Sequence, residues 1–183
     1  MLSAPHFLSL LLLACISISP SSAADTLEHD VQASTLVQQG QSAPDFTCLD
    51  TTGKQHTLSA LKGKVVLLYF FSTSNPASLT EMRYLQSEIY QKLHNKGDFQ
   101  MLAMGRDHTH EELVKLSGER KLSFPFVADP KQEIYQRYFT KFVPRTVLVR
   151  RDGTIAYLAS GYVYEKILEL QAVLARELAF KAP

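Results

Sequence analysis

Seven consecutive residues, Val65-Val66-Leu67-Leu68-Tyr69-Phe70-Phe71, run without a polar interruption. A run this short, built from β-branched, aromatic and leucine side chains, reads as a strand. An unbroken one suits a strand buried on both faces, in the middle of a sheet with layers above and below it. The flanking sequence supplies those layers. Asp45 to Asp50 and His56 to Leu58 alternate around a turn at Thr52-Gly53, a hairpin pattern. After the central run, Leu79, Met82, Leu85 (or Gln86), Ile89 and Leu93 recur at helical steps. Asn75 is a favoured N-cap for that helix. Pro76 falls on its first position, where a missing N–H costs nothing.

Phe99 to Met104 predicts a second buried strand, and Thr109-His110-Glu111-Glu112 has the spacing of a capping box opening a helix to about Arg120. Phe124 to Val127 reads as extended, and Asp129-Pro130 as the start of a further helix carrying Ile134, Tyr135, Tyr138 and Phe139. Thr146 to Val149 and Thr154 to Leu158 flank the turn Arg151-Asp152-Gly153. A last helix runs from about Tyr164 to Phe180, with Ile167, Leu168, Leu170, Val173, Leu174 and Leu178 on its apolar side. The order implies an α/β fold: a mixed central sheet, helices on both faces and an N-terminal β-hairpin.

The 183 residues divide into three parts. Residues 1–24 are expected to be a signal peptide: Phe7 to Ile18 is nearly all apolar, and Ser19-Pro20-Ser21-Ser22-Ala23-Ala24 follows. The stretch is too short for a comfortable membrane span. Leu12-Leu13-Ala14-Cys15 also resembles a lipobox, in which the signal ends at residue 14 and Cys15 becomes a lipid anchor. Either reading exports the chain, to the periplasm or the envelope surface, and membrane attachment is expected only with lipidation. Residues 25–41 read as a polar linker with a short helix near Thr26 to Val37. Residues 42–183 form the domain. With 19 basic and 18 acidic residues, no global field selects nucleic acid. After cleavage Cys48 is the one cysteine, so no internal disulfide is available.

Three strings resemble the thioredoxin-like superfamily, most closely the exported TlpA-type thioredoxins and the related redoxins of the alkyl hydroperoxide reductase/thiol-specific antioxidant group. Ser42-Ala43-Pro44-Asp45-Phe46 resembles their domain opening. Leu58 to Leu68 resembles the approach to their central strand. Val143-Pro144-Arg145-Thr146 through Ile155 resembles their cis-proline loop and the hairpin after it. The resemblance covers about Ser42 to Leu174. It implies a thioredoxin-like fold and thiol-disulfide chemistry through two cysteines at the start of the helix after the central strand.

That window here is Phe71-Ser72-Thr73-Ser74-Asn75-Pro76-Ala77-Ser78-Leu79-Thr80-Glu81-Met82. Phe71, Thr73, Pro76, Glu81 and Met82 keep the register of the resemblance. Asn75 stands at the nucleophile, Ser78 at the resolving cysteine, and Ser74 at the usual aromatic. Disulfide exchange needs a thiolate to attack and a second thiol to resolve the mixed disulfide. An amide and a hydroxyl do neither. No catalytic residue is therefore expected at this site.

The resemblance also implies a groove of Ser74, Asn75, Pro76, Val143, Pro144 and Arg145, which, if it persists, is expected to take an extended polypeptide by strand addition. Arg145 is expected either to line it or to be an exposed loop residue. The leading reading is an exported, non-catalytic protein that binds a polypeptide or envelope partner. The alternative is a thiol-disulfide oxidoreductase, as the resemblance implies, acting through Cys48 or a partner's thiols. A third is an anion or small-molecule carrier at the Asn75 helix end. Cys48 is expected to be a small buried hydrophobe. Arg106 to His110 reads as a polar loop with a helix cap, and His29, His56 and His94 as surface residues. No cofactor or metal site is expected.

Overall fold

The computed structural model describes residues 23–180; the signal peptide expected over residues 1–24 lies outside them up to residue 22, as does Cys15. The described chain opens with a helix, α1 (Ala23–Ala33), and then a small antiparallel hairpin, β1 (Thr47–Leu49) and β2 (Gln55–Thr57). The central run forms β3 (Val65–Phe71), and all seven of its residues are buried. Alternate side chains point to opposite faces, as a period of two requires. Val65, Leu67, Tyr69 and Phe71 enter one core. Val66, Leu68 and Phe70 enter the other. Full burial of such side chains contributes about 1.5–3 kcal/mol each.

Around it stand β4 (Phe99–Arg106), β5 (Phe126–Asp129), β6 (Arg145–Val149) and β7 (Ile155–Ser160), in the order β5-β4-β3-β6-β7. β3 runs parallel to β4 and antiparallel to β6, so the sheet is mixed. One face is covered by α2 (Pro76–Tyr84) with its continuation α3 (Gln91–Leu93), by α4 (His110–Arg120) and by α5 (Tyr164–Ala179). The other is covered by the hairpin, the 3₁₀ turns Leu58–Leu61 and Tyr135–Arg137, and Val37 of the N-terminal segment.

Several local predictions hold at the level of single atoms. Thr109 Oγ1 accepts from Glu112 N, and the Glu112 carboxylate accepts from Thr109 N, so the capping box is complete. The helix after Asn75 is continuous, but a π turn, Leu85–Tyr90, joins α2 to α3. The wider turn lets adjacent Leu85 and Gln86 both face inward, and Gln86 exchanges two hydrogen bonds with Ser123.

Other expectations need correction. Asp129-Pro130 does not open a full helix. The Asp129 carboxylate accepts from the N–H groups of Ile134 and Tyr135, Gln132 turns left-handed at φ 59°, and only the short 3₁₀ turn follows. Leu168 is 48% exposed, off the α5 stripe of Ile167, Leu170 and Leu174. Residues 25–41 are not a free linker. α1 buries nothing, but Ser34 and Val37 behind it are buried, and Leu36 N and Gly40 N bond to Tyr138 O and Ile155 O.

Candidate functional site

α2 begins where β3 ends, at the carboxyl edge of the sheet where open α/β sheets commonly place ligands. Asn75 caps it: Oδ1 accepts from Ala77 N at 2.9 Å, and Pro76 occupies the first turn. The other end of the same amide reaches across a gap in sequence. Nδ2 donates to Val143 O at 2.6 Å. The Val143–Pro144 peptide is cis, and Phe142 before it has φ 67°. Two further bonds hold this loop. Tyr135 Oη donates to Phe142 O at 2.6 Å, and Gly161 N donates to Pro144 O at 2.9 Å.

Ser74, Asn75, Pro76 and Val143 thus meet in one groove of about 450 Å³, which Arg106, Asp107 and Phe142 also line. The positive charge there is already engaged. Arg106 Nε donates to Gln132 Oε1 at 3.0 Å and lies 3.4 Å from the Asp107 carboxylate, and its guanidinium sits over the Tyr135 ring.

Pro144 is buried behind the groove rather than lining it. Arg145 belongs elsewhere and is neither a groove residue nor an exposed one. It is buried on the far side of the loop, stacked 4.7 Å over Phe139, and it donates to Thr35 Oγ1, Ser34 Oγ, Val31 O and Lys141 O. The N-terminal segment docks on this side chain. The docking spans 110 residues of sequence, so nothing local announces it.

Ser78 is fully buried, its hydroxyl has no partner among the described residues, and its carbonyl accepts from Tyr69 Oη at 2.7 Å. One turn on, Glu81 is also buried and accepts from Thr146 Oγ1 at 2.8 Å. Burial raises its carboxyl pKa to about 7, against the lowering effects of the Thr146 bond and of Lys166.

His108 is a site-proximal residue that its sequence context hides. It is 7% exposed and supports the loop from behind. A carbonyl can only accept, so Nδ1 donates to Arg106 O at 2.7 Å. A main-chain N–H can only donate, so Nε2 accepts from Thr73 N, and Thr73 Oγ1 joins it at 2.8 Å. An Nε2 that accepts leaves Nδ1 as the ring's donor.

His56 is not a surface residue either. It is buried, with Nε2 2.8 Å from the Asp50 carboxylate. Burial opposes ionisation of Asp50, but bonds from His56, Thr52 and Lys54 hold its pKa below the usual range.

Cys48 is half-buried against the second core and lines a different cavity, beside Asp129 and His110. Burial, with the charges of Asp50 and Asp129, pushes its thiol pKa up to about 11. A thiol held protonated at neutral pH is a poor nucleophile.

A mixed five-stranded sheet, a helix springing from the end of its central strand, and a cis-proline loop facing that helix define a protein of thioredoxin-like fold. The chain belongs to the AhpC/TSA family, whose model matches residues 39–158. It is 32% identical over 133 residues to the thiol-disulfide oxidoreductase ResA of Bacillus thuringiensis, covering 73% of this chain and 76% of that protein. It is 29% identical over 135 residues to the thiol-disulfide oxidoreductase ResA of Geobacillus kaustophilus, covering 74% and 76%. Among solved structures, one provisionally named a protein disulfide isomerase, from Bacteroides thetaiotaomicron, superimposes with a TM-score of 0.77 at 31% identity. That match covers 80% of this chain and 94% of the other.

Proposed function

We propose that this chain is an exported member of the family that binds an extended polypeptide, from a substrate or an envelope partner, without thiol redox catalysis. One observation carries the reading. Where the resemblance puts the nucleophilic cysteine this chain has Asn75, and both ends of its amide are committed, to Ala77 N and Val143 O. An amide offers no electron pair for attack on a disulfide, and Ser78 behind it offers no thiol to resolve one. The groove remains, with main chain of the proline loop along one side. Export is supported by the apolar run Phe7 to Ile18 and the small residues after it. Mass spectrometry of the mature N-terminus separates cleavage near Ala24 from lipidation at Cys15.

The test restores what is missing. The double substitution Asn75→Cys/Ser78→Cys is expected to turn on reduction of insulin disulfides with dithiothreitol as electron source, while the native chain stays at the uncatalysed rate. A double variant that folds but stays silent would mean that the groove no longer admits a disulfide substrate.

The similarity to proteins named thiol-disulfide oxidoreductases supports a second reading, in which this chain shares their activity through Cys48 or through a partner's thiols. In that case Cys48→Ser abolishes turnover in the native chain. The raised thiol pKa and the separate cavity weigh against it.

A further inference from the structure

Val143 precedes a proline, which restricts it to extended backbone. An extended residue presents its own N–H and C=O on the same side. A strand that pairs with it engages both, in a two-bond exchange. Val143 lines the groove, and its N–H has no hydrogen-bond partner among the described residues. Its C=O is occupied by Asn75 Nδ2 at 2.6 Å. The donor half of a strand-pairing position is thus open, and the acceptor half is filled from within the chain.

The neighbouring carbonyls are fixed by other groups, Phe142 O by Tyr135 Oη and Pro144 O by Gly161 N. The loop therefore has two anchors that do not depend on Asn75. Removing the Asn75 donor frees the Val143 carbonyl without setting the loop adrift.

The geometry points to Asn75 as an internal occupant of the polypeptide site: its amide takes the place of an incoming main-chain N–H at the Val143 carbonyl. This inference rests on the polypeptide-binding reading and adds to it a specificity-determining residue. A bound segment makes its first bond, from its own carbonyl, to the Val143 N–H. It makes the second only when the Asn75 side chain turns away. A segment that offers a carbonyl but no competing N–H at that point, such as one with proline there, meets no such competition.

Serine and aspartate both serve as N-caps in place of asparagine, so Asn75→Ser and Asn75→Asp keep the Ala77 bond and the helix. Neither can donate to Val143 O as the amide does; serine is too short and an ionised carboxylate has no proton. The probe is reduced, carboxymethylated lactalbumin, an unfolded polypeptide with no free thiol, labelled for fluorescence anisotropy. Loss of one neutral competing hydrogen bond is expected to tighten binding between about twofold and tenfold in both variants. Measurable binding that is unchanged or weaker in both variants overturns the inference and leaves the polypeptide reading standing. No binding by the native chain or either variant overturns the reading and the inference together.

Discussion

Glu81 lies buried one turn beyond Ser78 and meets a single hydroxyl, Thr146 Oγ1. Its folded pKa of about 7 lies above the ordinary 4.5, so between those values the folded chain binds more protons than the unfolded one. Stability from this group is therefore complete below about pH 4.5 and is lost as pH rises toward 7, on the order of 3 kcal/mol in all. Glu81→Gln keeps an acceptor for Thr146 and cannot ionise. Urea denaturation from pH 5 to 8 is expected to show falling stability for the native chain and a flatter profile for Glu81→Gln, which is the more stable of the two at pH 8. Equal slopes contradict the assignment.

At this scale the sequence was partly legible. Asn75 as a cap depends on Ala77, two residues away, and Thr109 on Glu112, three away; both could be read. His56 and His108 could not. The burial of His56 depends on a hairpin that places Asp50 behind it, and that of His108 on a loop 35 residues upstream. Identical histidines elsewhere, His29 and His94, are exposed as expected.

Between elements, Arg145 does the most unexpected work. It leaves β6 on the face away from the groove and holds Val31, Ser34 and Thr35, which follow or end α1. The strand itself was readable from Thr146 to Val149, but the docked N-terminal segment was not. Its polar composition resembles a linker because the bonds that hold it come from an arginine on another element. Arg145→Met keeps a long apolar stem over Phe139 and removes every donor. Replacing a buried charge by an apolar side chain can leave global stability little changed. The expected result is amide exchange at residues 34–37 faster by roughly tenfold, with the five-stranded sheet as protected as before. Unchanged exchange in that segment would show that Val37 packing alone secures it. The helix expected from Asp129-Pro130 fails for a related reason. The Asp129 carboxylate captures two main-chain N–H groups that a helix would have used differently, a choice set by the end of β5.

For the whole molecule, the seven-residue apolar run and the order of elements reached an α/β fold with a mixed sheet, because burial on both faces leaves few places for such a strand; the thioredoxin-like fold itself was read from the resemblance of three strings, Ser42 to Phe46, Leu58 to Leu68 and Val143 to Ile155. Membership of the AhpC/TSA family accounts for the scaffold. The resemblance implies thiol-disulfide chemistry through two side chains at the start of one helix, and there the chain carries Asn75 and Ser78. The remaining cysteine, Cys48, sits in another cavity with its thiol pKa raised to about 11. The account therefore separates fold from chemistry: the groove at Asn75 has no cysteine among its lining residues, and the use proposed for it is polypeptide binding. The most direct test is the rate at which the native mature chain reduces insulin disulfides, measured beside Cys48→Ser. The account predicts that both remain at the uncatalysed rate; turnover by the native chain that disappears in Cys48→Ser would contradict it.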